Sequence, residues 1–109
     1  MAAPPRQWGV WRTRAEIPRQ LSVIWSDEAI RDIEHVVAYL APLNPLAART
    51  LARDLFIAGD SLATFPHRGR PGRADGTREQ VAVWTYIIVY QTDGTTVTIL
   101  RLWHGAQDR

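Results

Sequence analysis

The chain has 109 residues, 46% of them hydrophobic, which fits one folded domain and argues against a disordered chain. It contains no Cys, which excludes disulfides, thiolate metal sites and Cys nucleophiles, and no apolar run near the roughly 20 residues that a membrane-spanning helix needs. The formal net charge of +2 is too small to mark a nucleic-acid-binding protein on its own. All 13 basic side chains are Arg. A GC-rich coding bias explains this as well as function does. Either way, every cation is a planar fork suited to carboxylate or phosphate, and no Lys amine is available as a base or Schiff-base former. Residues 66–78, PHRGRPGRADGTR, gather Arg68, Arg70, Arg73 and Arg78 against one acid, Asp75.

Residues 1–20 show no period of 2 or 3.6 and no continuous apolar stretch of the signal-peptide type. They read as a loosely held arm outside the domain at 21–109, and the protein is expected in the cytoplasm. Trp8 and Trp11 of this arm are candidates for docking on the body or on a partner. Leu21 to Trp25, LSVIW, is short, apolar and partly β-branched, and reads as a strand. Ser26 is a helix N-cap, followed by Asp27 and Glu28 in a first turn where carboxylates suit the helix dipole. Ile30, Ile33, Val37 and Leu40 recur at helical spacing, so an amphipathic helix is predicted over 27–41, ended by Pro42. Asn44 and Pro45 restart it as cap and first residue. Leu51, Leu55, Ala58 and Leu62 line one face of this second helix, which should end near Thr64. Gly59 inside it is a defect of about 1 kcal/mol relative to Ala.

Three Gly and two Pro mark 66–77 as an irregular loop. Strand character returns after Arg78, where Val81 and Val83 alternate, and in YIIVYQ, Tyr86 to Gln91. Asp93-Gly94 is a two-residue hairpin signal, and Val97 to Trp103 is the partner strand. The order is strand, helix, helix, then two or three antiparallel strands. The class is α+β, a two-helix hairpin on a three- to four-stranded, mainly antiparallel sheet. The first strand is expected to pair with a later one.

Five fragments then stand in a recognisable order: VIWSDEAIRDIEHVVAYL, NPLAARTLARDL, LATFPHRGRPG, TREQVAVWTYIIVYQ and LRLWHGAQ. Together, over roughly 21–107, they resemble the ParE/RelE superfamily of toxins from bacterial type II toxin–antitoxin systems. The first 20 residues have no counterpart in that pattern. The resemblance implies a toxin held inactive by a cognate antitoxin in a hetero-oligomer. It also implies one of two targets. RelE-like members cut mRNA in the ribosomal A site, and ParE-like members poison DNA gyrase.

RNA cleavage needs a base, cations for the developing phosphorane charge and an acid for the leaving group. The resemblance places the Arg of the RelE-like central strand at Ile87, which carries neither charge nor proton. The first sheet Lys falls on Arg78, the second near Gln80, and the C-terminal Arg near Ala106 or Gln107. The terminal Tyr has no counterpart, because the sequence stops at Arg109. What remains for a nuclease is Arg78, Arg101 and His104, with Tyr90 nearby. Histidine is a residue type that can transfer protons, so this role is open to His104. The alternative is a His that hydrogen-bonds the sheet end, with Gly105 letting the chain turn. Arg101 should share a face with Ile99 and Trp103. It either meets an antitoxin or target group or pairs with an internal acid such as Glu79. Arg70 matches the loop-anchoring Arg of the family. Trp25 and Trp103 read as core or sheet-edge packing.

The expectation is therefore a gyrase poison without enzymatic activity, with no cofactor, metal or membrane. Antitoxin and target contacts are assigned to Arg70, Arg78, Tyr90, Arg101, Trp103, His104 and Gln107. The alternatives are a ribosome-dependent mRNA endonuclease and a non-toxic family member that only binds its antitoxin.

Overall fold

Both helices begin where a side chain satisfies an orphan backbone donor. Ser26 Oγ accepts the Ala29 N–H at 3.1 Å, and Asn44 Oδ1 accepts that of Ala47 at 3.0 Å. The computed structural model describes residues 20–83 and 85–105. In chain order these form β1 (Ser22–Trp25), α1 (Asp27–Leu40), α2 (Pro45–Asp60), β2 (Arg70–Pro71), β3 (Arg78–Val81), β4 (Tyr86–Thr92) and β5 (Thr96–His104). A 3-10 turn, Ser61–Ala63, carries α2 to the end expected near Thr64. The arm expected at the N-terminus lies, apart from Gln20, outside the described residues, as does Gln107.

The sheet has five strands in the order β1-β5-β4-β3-β2, where three to four were expected. β1 runs parallel to β5, and every other neighbour is antiparallel. The additional strand is β2, a two-residue ladder inside the segment expected to be irregular. Arg70 pairs with Glu79 and Pro71 with Arg78, a stretch too short to show a period. β3 stops at Val81, so Val83 is not part of the strand expected there. The β4–β5 turn closes with Asp93 N–H donating to Thr96 O at 3.2 Å. The turn thus centres on Gly94 and Thr95, one residue later than the Asp93-Gly94 signal.

Residues opposite one another in a ladder share a face. The register puts Gln80–Ile88–Leu102 and Arg78–Tyr90–Ile99 on the face toward the helices. There Ile88, Tyr90, Ile99 and Leu102 join Ala29, Ile33, Leu55, Leu62 and Val97 in one core. The outer face carries Arg70–Glu79–Val89–Arg101 and Val81–Ile87–Trp103. Ile99 and Leu102 both face the core although three residues apart, because β5 bulges at Leu100 where the register shifts. Arg101 consequently shares its face with Trp103, as expected, and not with Ile99. Gly59, a defect in propensity terms, has a packing reason. A Cβ there would lie 2.3 Å from the Trp25 ring, which stacks edge-on against Phe56 at 4.9 Å.

Candidate functional site

Three clusters contain the residues singled out in the sequence, and they occupy different parts of the sheet. The first lies where β3 meets the 65–69 loop. Tyr90 is fully buried; its hydroxyl donates to Pro66 O at 2.8 Å and accepts the Gly69 N–H at 2.9 Å. The fit is tight, since a Cβ on Gly69 would sit 2.8 Å from that hydroxyl. Arg78, opposite Tyr90, donates through Nη1 to Gly69 O at 2.6 Å and to His67 O at 3.4 Å. The pair clamps the loop that follows Phe65-Pro66. Arg70 lies over the edge of this region on the outer face and pairs with buried Glu79 at 3.4 Å.

The second cluster is at the β5 edge. β1 ends opposite Ile99, and α1 takes over the exposed edge beyond it. Ser26 Oγ donates to Leu100 O at 2.9 Å. Asp32 accepts the Leu102 N–H at 2.8 Å and, with both oxygens, Arg101 Nε at 2.8 Å and Nη2 at 3.1 Å. The guanidinium stacks over the Trp103 ring at 4.6 Å. This hydrogen bond to Asp32, first among the causes, raises the Arg101 pKa above its ordinary value, so its charge is permanent. The internal acid that pairs with Arg101 is thus Asp32, not Glu79, which Arg70 takes. The sequence does not single out Asp32, because its helical position borders the core stripe without belonging to it. The signal that finds it is a buried-strand Arg needing an acid from the helix laid against that strand.

The third cluster is a groove of about 340 Å³ between α1 and the sheet end, lined by His35, Val36, Tyr39, Leu40, Tyr86 and His104. The His104 ring meets Tyr86 edge-on at 5.0 Å, and Nε2 lies 3.4 Å from Thr85 Oγ1. Gly105 N–H donates to Thr85 O at 2.5 Å, closing the sheet end.

These placements separate Arg78, Arg101 and His104. Arg78 faces Tyr90 and His104 faces Tyr86. Four residues along β4 put them about 13 Å apart lengthwise, and two strand spacings add about 10 Å across. Arg101 is on the opposite face. Position 87 of the central strand holds an Ile only 9% exposed, between Val81 and Trp103. No described helix is long and apolar enough to cross a membrane.

The model of a family described as "ParE toxin of type II toxin-antitoxin system, parDE" matches residues 23–109. The chain is 39% identical over 85 residues to Toxin RelE2 of Caulobacter vibrioides, covering 78% of this chain and 96% of that protein. It is 33% identical over 92 residues to Toxin RelE1 of the same organism, covering 81% and 97%. Its fold is similar to a chain of the chromosomal ParDE system from P. aeruginosa, with a TM-score of 0.72 and 21% identity over 79% of this chain and 97% of that one. It is also similar to a chain of the toxin–antitoxin complex RelBE2 from Mycobacterium tuberculosis, with a TM-score of 0.56 and 28% identity over 81% and 94%.

Proposed function

The chain belongs to the ParE toxin family of type II toxin–antitoxin systems, and from that premise we propose that it poisons DNA gyrase and is held inactive by a cognate antitoxin. The observation that carries the choice of target is position 87. RNA cleavage requires charge stabilisation and proton transfer converging on one phosphate. Here the central strand offers the apolar row Val81–Ile87–Trp103 instead. The remaining candidates do not converge either. Arg78 is committed to loop carbonyls, Arg101 to Asp32, and His104 stands at the far sheet end.

Gyrase and antitoxin are both cytoplasmic partners in this reading. The outer sheet face, with Arg101 and Trp103 at one edge and Arg70 at the other, is the antitoxin's contact surface. An apolar segment carrying acidic residues would complement it. Tyr90 and Arg78 act on that surface from behind, by fixing the loop. His104 belongs to the groove beside α1.

The competing reading is ribosome-dependent mRNA cleavage. It draws on the RelE names of the relatives and on an accessible imidazole at His104. Brief induction in bacterial cells, with pulse labelling of DNA and protein synthesis in parallel, separates the two. Gyrase poisoning predicts that DNA synthesis falls first and that DNA breaks accumulate. An earlier fall in protein synthesis that His104→Ala abolishes would establish the nuclease instead.

A further inference from the structure

One cation on the outer sheet face is oriented in advance by its own chain. The Arg101 guanidinium is gripped by both oxygens of one acid. Asp32 takes Nε and Nη2, and the fork lies flat on Trp103. Among the described residues, Nη1 has no partner. The arginine side chain is 42% exposed, and Asp32 only 14%. The acid is therefore spent on the interior, while the cation and part of the indole face outward. An exposed Arg ordinarily loses rotamer freedom when a partner takes it up, which weakens binding. Here that ordering is made in advance by α1. Arg and Trp are also the residue types that dominate binding energy when they sit at partly desolvated, well-packed positions.

We infer that Asp32 is a positioning residue for an Arg101–Trp103 contact platform, and that the platform takes a carboxylate beside an apolar side chain from the antitoxin. The inference rests on the toxin–antitoxin reading and extends it to a residue with no exposed role of its own. The carboxylate meets the outward Nη1 edge of Arg101. The apolar side chain lies over Trp103 toward Ile87 and Val81, the latter 47% exposed. Charge and shape both favour such an occupant. Guanidinium groups at Arg70 and Arg101 end the row Arg70–Glu79–Val89–Arg101, and the row beside it, Val81–Ile87–Trp103, is apolar. Asp32 contributes by geometry rather than by charge, since a second acid near the platform weakens its pull on a partner carboxylate.

That opposition makes the test sharp. The purified cognate antitoxin is titrated against the full chain and against Asp32→Asn, Arg101→Gln and the double variant, with association and dissociation rates measured separately. Asn keeps an oxygen for the Leu102 N–H, and thermal melts verify that each variant is folded. Arg101→Gln should weaken binding by about tenfold or more. Asp32→Asn should weaken it about fivefold, through faster dissociation, with association unchanged or slightly faster. Added to Arg101→Gln, Asp32→Asn should cost nothing further, because there is no guanidinium left to position. Additive losses would make Asp32 merely structural and overturn the inference, as would tighter or unchanged binding in Asp32→Asn. A wild-type chain that binds no antitoxin overturns both this inference and the reading beneath it.

Discussion

Arg78 and Arg101 are two arginines held by their own chain, and the difference between their settings separates structure from recognition. Arg78 is held by carbonyls of Gly69 and His67, beside a tyrosine hydroxyl that ties the same loop. Its partners are backbone, so its bonds shape the fold. Arg101 is held by a carboxylate at a strand bulge and lies over an indole on the opposite face. Its partner comes from a helix, and the group it orients faces outward. The lesson is that a bound cation is not thereby a silent one. What matters is whether its remaining donors point into the protein or out of it.

The Arg78 side should break first. Tyr90→Ala is expected to cost about 3–5 kcal/mol of stability, since it empties a core position. Tyr90→Phe isolates the hydroxyl and should cost about 1–3 kcal/mol, because the buried Gly69 N–H and Pro66 carbonyl lose their partner. Urea unfolding measures both, and a Phe variant as stable as the wild type would remove the loop clamp from the account. On the Arg101 side, Asp32→Ala should destabilise by about 1–2 kcal/mol, discounted for the exposure of Arg101. Asp32→Asn should cost less, because the Leu102 N–H keeps an acceptor. Equal losses in the two variants would show that the ion pair, and not the edge hydrogen bond, stabilises β5.

The smallest effect concerns pH. The Asp93 carboxyl is held below its usual 3.8, first by the Thr95 N–H and then by that of Thr96. A depressed folded-state pKa gives stability that is present above the unfolded value and lost as pH falls through the folded one. The β4–β5 turn should therefore lose this contribution only below about pH 3.8, and Asp93→Asn should flatten that part of the acid-unfolding curve. A decline in the same variant that matches the wild type would place the acid sensitivity elsewhere.

The helices were legible because spacing and caps act locally. Ile33 and Leu55 fall on the buried stripes, and Ser26 and Asn44 cap as their side chains require. What the sequence concealed is non-local. β2 has two residues and thus no period to detect. The parallel pairing of β1 with β5 joins positions over 70 residues apart in the chain. The bulge at Leu100 breaks the alternation that placed Arg101 beside Ile99, and with it hid the partnership with Asp32. Ile87 was the exception. Its side chain is incompatible with charge stabilisation wherever it sits, so its identity alone bore on the choice of target.

That choice is tested most directly with purified components. Toxin released from its antitoxin is incubated with gyrase, ATP and supercoiled plasmid, and in a parallel reaction with translating ribosomes and a defined mRNA. Poisoning predicts enzyme-linked double-strand breaks in the plasmid and an intact message. An intact plasmid with the message cut at ribosomal A-site codons would contradict it, and would mean that Arg78, Arg101 or His104 does chemistry that their separation in this fold argues against.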